Sequence, residues 1–197
     1  MPYGRVRTMS AQQGLWEQAV AGDHQAFATF YERHADRVFA HCLYRTGSRA
    51  DAEDLTAEAF ARAWHARAKV RVSAEADILP WLLVTANHLM LQQHRKAARG
   101  RRATRRLNLE DEPDIAAVVA DRDEVEHHRR RALQVLAGLS EPDREVIELC
   151  VVNGLTPTAV AEGLHTPAST VRNRLARALR RARAAYQSLD NGTEVDA

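Results

Sequence analysis

Lysine is almost missing from this chain: Lys69 and Lys96 are its only two, although lysine and arginine together number 28. Arginine therefore carries the positive charge. Its planar guanidinium suits bidentate contact with phosphate and base edges, although a GC-rich genome would give the same bias. Cysteine is as scarce. Cys42 and Cys150 lie far apart inside apolar helical patterns, where they read as small buried hydrophobes, so no disulfide framework is expected. No apolar run approaches membrane-spanning length, and the opening MPYGRVRTMSAQQ lacks the apolar core of a secretory signal, so a cytoplasmic location is expected, with no membrane partner. Met9 is an alternative start, since nothing before it is periodic. Glycine-rich phosphate loops and nucleophile motifs are absent too. The nine histidines are scattered without ligand spacing, and His34, His41 and Cys42 find no further ligand pair. No catalytic residue, cofactor or metal is expected.

What the chain does have is basic residues gathered in clusters under a formal net charge of only +2. Clustering matters more to nucleic acid than the sum. The densest cluster lies in Leu155 to Arg183, LTPTAVAEGLHTPASTVRNRLARALRRAR. At about 100° per residue from Thr170 onward, Arg172, Arg174, Arg177, Arg180, Arg181 and Arg183 cover one broad arc. Val171, Leu175, Ala178, Leu179 and Ala182 fill the opposite one. A shorter apolar helix, Pro157 to Leu164, precedes it across a tight connection, so the pair reads as a helix-turn-helix with Ser169 or Thr170 as cap. The same arc also suits a solvated arginine face on a bundle helix.

Earlier in the chain, Leu15 to Val20 forms a short amphipathic helix closed by Gly22, and Asp23 caps the next. Phe27, Phe30, Tyr31, Val38, Cys42 and Leu43 then recur at helical spacing until Gly47. Ser48 with Asp51 three residues on makes a capping-box-like start for DAEDLTAEAFARAW. On that helix Asp51, Asp54 and Glu58 fall within about 60° of each other while Glu53 points away. Such a stripe needs solvent or a basic partner; anions in the first turns also favour the helix dipole. A polar connection, HARAKVRVSAEAD, leads to a helix over roughly Leu79 to Lys96, with Pro80 in its first turn. Leu82, Leu83, Ala86, Leu89 and Met90 form its apolar face. Trp81, Thr85, His88, Gln92, Arg95 and Lys96 run along the other side, a stripe suited to stacking an unpaired base and neutralising a backbone, unless Trp81 is partly core.

The basic run Arg95 to Arg106 gives way to an acidic stretch containing Glu110, Asp111, Glu112, Pro113 and Asp114, the clearest boundary in the chain. Helical pattern returns at Glu124, with Leu133, Leu136 and Leu139 before SEPDREVIEL. The expected organisation is all-α: residues 1–11 a disordered N-terminus, 12–97 one small helical domain, 98–123 a flexible linker, 124–188 a helix-turn-helix domain, and 189–197 a disordered tail.

Taken in order, DAEDLTAEAFARAW, the PWLL helix ending in basic residues, the linker, LSEPDREVIEL and TVRNRLARALRRAR resemble the extracytoplasmic-function (group 4) sigma factors of bacterial RNA polymerase. The resemblance covers about residues 12–186. It implies a non-enzymatic, two-domain initiation factor that binds core RNA polymerase and directs it to promoters. Residues 12–97 would be sigma domain two and 124–188 sigma domain four. Asp51, Glu53, Asp54, Leu55, Glu58 and Phe60 would dock on the clamp helices of the largest subunit. Lys69, Arg71, Ser73, Trp81, Thr85, Asn87, His88, Gln92, Arg95 and Lys96 would capture and melt the minus-ten element. Domain four would meet the polymerase flap and place Ser169, Thr170, Arg172, Asn173, Arg174, Arg177, Arg180 and Arg181 at the minus-thirty-five element. Many members are held inactive by an anti-sigma factor, and the resemblance extends that expectation here. Three positions depart from the family: Ala57 replaces a frequent glutamine, His88 a frequent asparagine with Asn87 one place earlier, and His165 the glycine of the helix-turn-helix corner, where Gly163 offers another turning point. The alternatives are a stand-alone helix-turn-helix regulator, which would bind duplex DNA without polymerase, and a metal hydrolase, which stoichiometric metal would reveal.

Overall fold

The computed structural model describes residues 14–70, 78–104 and 123–193, and every regular element among them is helical. Helix α1 spans residues 14–20, followed by α2 (His24–Thr46), α3 (Arg49–Ala66) and α4 (Leu79–Thr104). The C-terminal half contains α5 (Asp123–Ala137), α6 (Glu141–Ile147), a π-helical turn over Glu148–Val152, α7 (Pro157–Gly163) and α8 (Ala168–Thr193).

The punctuation of the N-terminal half follows from its caps. Asp23 accepts the Gln25 and Ala26 amides at 2.8 and 3.1 Å, satisfying donors that the first turn of α2 leaves open. Gly47 ends α2 in the left-handed conformation, φ 65°, and donates its amide to the Leu43 carbonyl. Ser48 then caps α3 by accepting from the Asp51 amide at 3.3 Å. These close stops make α2 and α3 neighbours. Between them Phe27 meets Trp64 at 5.0 Å between ring centres, and Trp16 of α1 meets Phe30 at 5.2 Å. Helix α4 packs on both, burying Leu82, Leu83, Ala86, Leu89 and Met90.

Two boundaries differ from the sequence expectation. Helix α4 continues through Thr104, two turns past Lys96, because RKAARGRRAT carries strong helix formers and one glycine does not stop it. Helix α8 continues through Thr193, into the expected tail. The expected disordered N-terminus and most of the linker lie outside the described residues.

In the C-terminal half, α5, α6 and α7 all pack on α8. Thr156 caps α7 through the Ala159 amide at 3.2 Å, with Pro157 at the first helical position. The corner turns on His165, which takes φ 52°, while Gly163 remains helical. A β-carbon in that region crowds the following carbonyl. Replacing His165 with glycine is therefore expected to raise unfolding free energy by about 1 kcal/mol, read from chemical denaturation. Helix α8 starts at Ala168, since the carbonyl of Pro167 accepts the first amides, from Thr170 and Val171. Ser169 and Thr170 thus lie inside the first turn instead of capping it.

The halves touch. Helix α4 packs against α7, and buried apolar residues of both halves form one continuous cluster.

Candidate nucleic-acid and protein interfaces

On α3 the acidic stripe separates cleanly from the core. Asp51, Glu53, Asp54 and Glu58 are exposed, whereas Leu55 and Phe60 are 1 % and 2 % exposed. Those two side chains anchor the helix against its neighbours and offer nothing to an outside partner. Glu53 pairs with Arg49 at 2.9 Å and Glu58 with Arg62 at 2.8 Å, each one helical turn apart. Asp51 and Asp54 are left as the acceptors facing solvent, and such exposed intrahelical pairs hold Glu53 and Glu58 only weakly.

The stripe on α4 emerges from the core along its length. Trp81 is half-buried and Thr85 buried, then His88, Gln92, Arg95 and Lys96 are exposed. Asn87, expected beside them, is only 3 % exposed and points the other way. Its Oδ1 accepts from His41 Nε2 at 2.8 Å, and its amide donates to Glu145 of α6 at 3.3 Å. A residue at that angle on α4 faces the bundle, so in this state His88 is the exposed side chain nearest the expected base-reading position. Lys69 is exposed at the end of the α3 exit turn; Arg71 and Ser73 lie outside the described residues.

On α8, Val171 and Ala178 are buried, with Leu175 and Ala182 beside them. Ser169, Thr170, Arg172, Asn173, Arg177 and Arg180 are exposed on the remaining surface, and Arg174 sits half-buried at its margin. Arg181 is different: its guanidinium donates to the buried carboxylate of Asp143 on α6. That arginine ties α8 to its own bundle. Arg181→Ala is expected to lower stability by about 1–3 kcal/mol in thermal or chemical unfolding, because Asp143 loses its partner.

Sequence reasoning missed a polar cluster between the halves. Arg45 of α2 donates to Glu141 and to Glu148 at 2.5 Å each, with side chains of Arg45 and Glu148 5 % and 2 % exposed. Arg37 donates to the Asn153 carbonyl at 2.9 Å. Asn153 Nδ2 donates to the Glu148 carbonyl at 2.9 Å and lies 3.1 Å from His41 Nδ1. With Nε2–H donating to Asn87 and Nδ1 accepting from Asn153, the imidazole fits only its neutral form. Burial chiefly, with the Arg45 charge assisting, drives its pKa down to about 4 despite the Asn87 bond. Burial pushes Glu145 up, and it pushes Glu148 up even against Arg45. Burial would do the same to Glu141, but its bond to Arg45 and that cation's charge bring it below its ordinary value. The signal was present in sequence: His34, His41 and Arg45 share the apolar stripe of Phe30, Val38 and Cys42, and Glu148 interrupts the run VIELCVV. Polar residues on a core stripe call for buried partners.

Residues 30–100 match Sigma-70 region 2, and residues 129–181 match Sigma-70 region 4. The ECF RNA polymerase sigma factor SigK of Mycobacterium ulcerans is 29 % identical over 179 residues, spanning 91 % of this chain and 94 % of that protein. The chain belongs to the extracytoplasmic-function sigma factors. The sigma factor BldN of Streptomyces coelicolor is 38 % identical over 87 residues, 44 % of this chain and 32 % of that one. Among solved structures, the sigma factor RpoE in complex with the anti-sigma factor NepR from Bartonella quintana matches with a TM-score of 0.58 at 19 % identity, over 82 % of this chain and 96 % of that one. CnrH in complex with the cytosolic domain of CnrY gives 0.56 at 22 % identity, over 95 % and 99 %. At these identities the structures support the helical fold. Within the sigma-factor frame, α3 and α4 belong to region 2, and α6 to α8 to region 4. No helix among the described residues is long and apolar enough to cross a membrane.

Proposed function

We propose that this sigma factor binds core RNA polymerase through the acidic face of α3 and directs it to promoters with two separate DNA surfaces, acting in the cytoplasm and catalysing nothing itself. The observation that carries this reading is the pairing, in one chain, of a solvent-facing carboxylate stripe with an exposed arginine face on the second helix of a helix-turn-helix. Asp51, Asp54 and Glu58 along one side of α3, with Glu53 exposed away from them, complement a basic protein surface; the polymerase clamp helices would be that partner. His88, Gln92, Arg95 and Lys96, with Trp81 at their head, would hold the melted minus-ten strand, joined by Lys69, Arg71 and Ser73. Arg172, Asn173, Arg177 and Arg180 would enter the minus-thirty-five groove, with Ser169 and Thr170 near phosphate at the helix N-terminus. The functional domains are proposed as 12–97 and 124–188. The anti-sigma factor NepR accompanies the structurally similar RpoE, and an anti-sigma partner is proposed here on that likeness.

A gel-shift series tests the reading. Duplex promoter DNA is expected to shift with core polymerase and this chain together, and weakly with the chain alone. Tight binding of duplex without polymerase would favour a stand-alone regulator, for which the acidic face of α3 has no use.

A further inference from the structure

The charge of α3 changes sign towards its end. Its carboxylates stop at Glu58, and no acidic residue follows until Glu75, while Arg62, His65, Arg67 and Lys69 fall in between. Three of these keep ordinary surface company: Arg62 pairs with Glu58, and His65 and Lys69 are open to solvent. Arg67 differs. Its side chain is half-buried, its Nε is enclosed without a hydrogen-bond partner, and among the described residues no carboxylate meets it. A guanidinium drawn partly out of water calls for an anion beside it.

What holds Arg67 instead is an aromatic platform. Its Cζ lies 4.1 Å from the centre of the Trp64 ring, and Nη1 donates to the Trp64 carbonyl at 2.8 Å. Trp64 is itself held. His24, the first residue of α2, lies against it at 4.6 Å between ring centres with the planes 33° apart, and Phe27 meets it edge-on at 5.0 Å. Cation–π attraction and the carbonyl bond, at a helix end whose dipole favours a cation, fix the guanidinium before any ligand arrives. They neutralise none of its charge. The platform stands where α3 gives way to α4: Val70, three residues past Arg67, and Ile78, immediately before α4, are anchored in the same core, with Trp81 packed against it at the head of the α4 stripe.

We propose that Arg67 is a backbone-phosphate contact for the single strand held along α4, and that Trp64 and His24 are positioning residues that present its guanidinium. The proposal rests on the sigma-factor reading and adds to it a contact that no base identity governs. Phosphate is the anion that fits, because the planar guanidinium fork matches phosphate oxygens. Having lost its side-chain freedom on folding, Arg67 binds with less entropy left to lose than a free surface cation such as Lys69. A polymerase carboxylate could meet the same charge, and neutralising single phosphates tells the two apart.

Polymerase carrying the chain is bound to a fork-junction DNA whose minus-ten element is single-stranded, taken from a promoter at which that polymerase starts transcripts. Fluorescence anisotropy gives the affinity over a range of salt, and circular dichroism checks the helix content of each variant. Arg67→Ala is expected to weaken binding about tenfold whatever the base sequence of the strand, and to lower the salt slope by about 0.7, the share of one single-strand phosphate. Trp64→Leu keeps the cation but releases it, so affinity is expected to fall about threefold with the salt slope retained. Arg67→Lys, which leaves the aromatic cluster in place, is expected to behave in the same way. Methylphosphonate placed at each linkage in turn locates the contact: at one linkage the neutral group is expected to erase the difference between wild type and Arg67→Ala. Unchanged affinity in Arg67→Ala, or a loss confined to particular bases, would overturn the proposal. So would a loss that persists at every methylphosphonate, which would assign Arg67 to a polymerase carboxylate. Wild-type affinity in Arg67→Lys would overturn the positioning role. Core polymerase that binds the fork equally well without the chain would instead sink the sigma-factor reading.

Discussion

Polymerase carrying the Arg172→Ala, Arg177→Ala double variant is expected to lose promoter binding by about 2–6 kcal/mol, the sum of two contacts of about 1–3 kcal/mol each. The two residues flank Asn173, Ala176 and Arg180 on the exposed side of α8, so a helix lying in a groove presents one to each wall. Both are exposed, and among the described residues neither engages an intramolecular ion pair. Alanine preserves helix propensity. The loss therefore reports on DNA and not on folding, in contrast to Arg181, whose partner is Asp143. Abortive-transcript yield against promoter concentration measures it. A residue that reads a base should lose discrimination at one promoter position; one that touches phosphate should weaken all promoters alike and flatten the salt dependence. Unchanged yields across several promoters would remove α8 from the upstream contact.

The second large effect concerns α3. Asp54→Lys is expected to weaken binding to core polymerase by about 2–4 kcal/mol, because it would put a cation on the face proposed to meet a basic polymerase surface. Asp54 is exposed and pairs with no neighbouring side chain among the described residues, so the isolated chain should unfold within about 0.5 kcal/mol of the wild type. Competition against the unsubstituted chain for a limiting amount of core, repeated at two salt concentrations, separates the charge contribution from packing. Normal affinity would mean that the polymerase meets another face. Leu55→Ala is the contrasting case: that side chain is buried, and its loss would act through the fold.

Much of this was legible from residue order. Asp23, Gly47 and Ser48 punctuate α2 and α3 because capping is local chemistry, decided within four residues. The arginine face of α8 follows from periodicity for the same reason. Long-range partners were not legible. The family resemblance put Asn87 among the minus-ten residues, and only the packing of α2 and α6 shows that its amide is spent on His41 and Glu145. Arg181 belonged to the arginine arc by angle, but Asp143 claims it. Likewise no local rule separates Gly163 as a turning residue from Gly163 as a point of close approach; the decision lies in Pro80 and Val84, far away in sequence. The corner fell instead to His165, which holds a strained left-handed conformation.

The central claim, that this chain gives polymerase its promoter choice, is tested most directly by transcription in vitro. Purified core polymerase, with and without the chain, is offered fragments of its own genome, and transcript 5′ ends are mapped. The account predicts discrete starts that appear only with the chain and share two upstream sequence blocks about 25 base pairs apart, with the upstream block losing its influence in the Arg172→Ala, Arg177→Ala variant. Transcripts identical with and without the chain would contradict it.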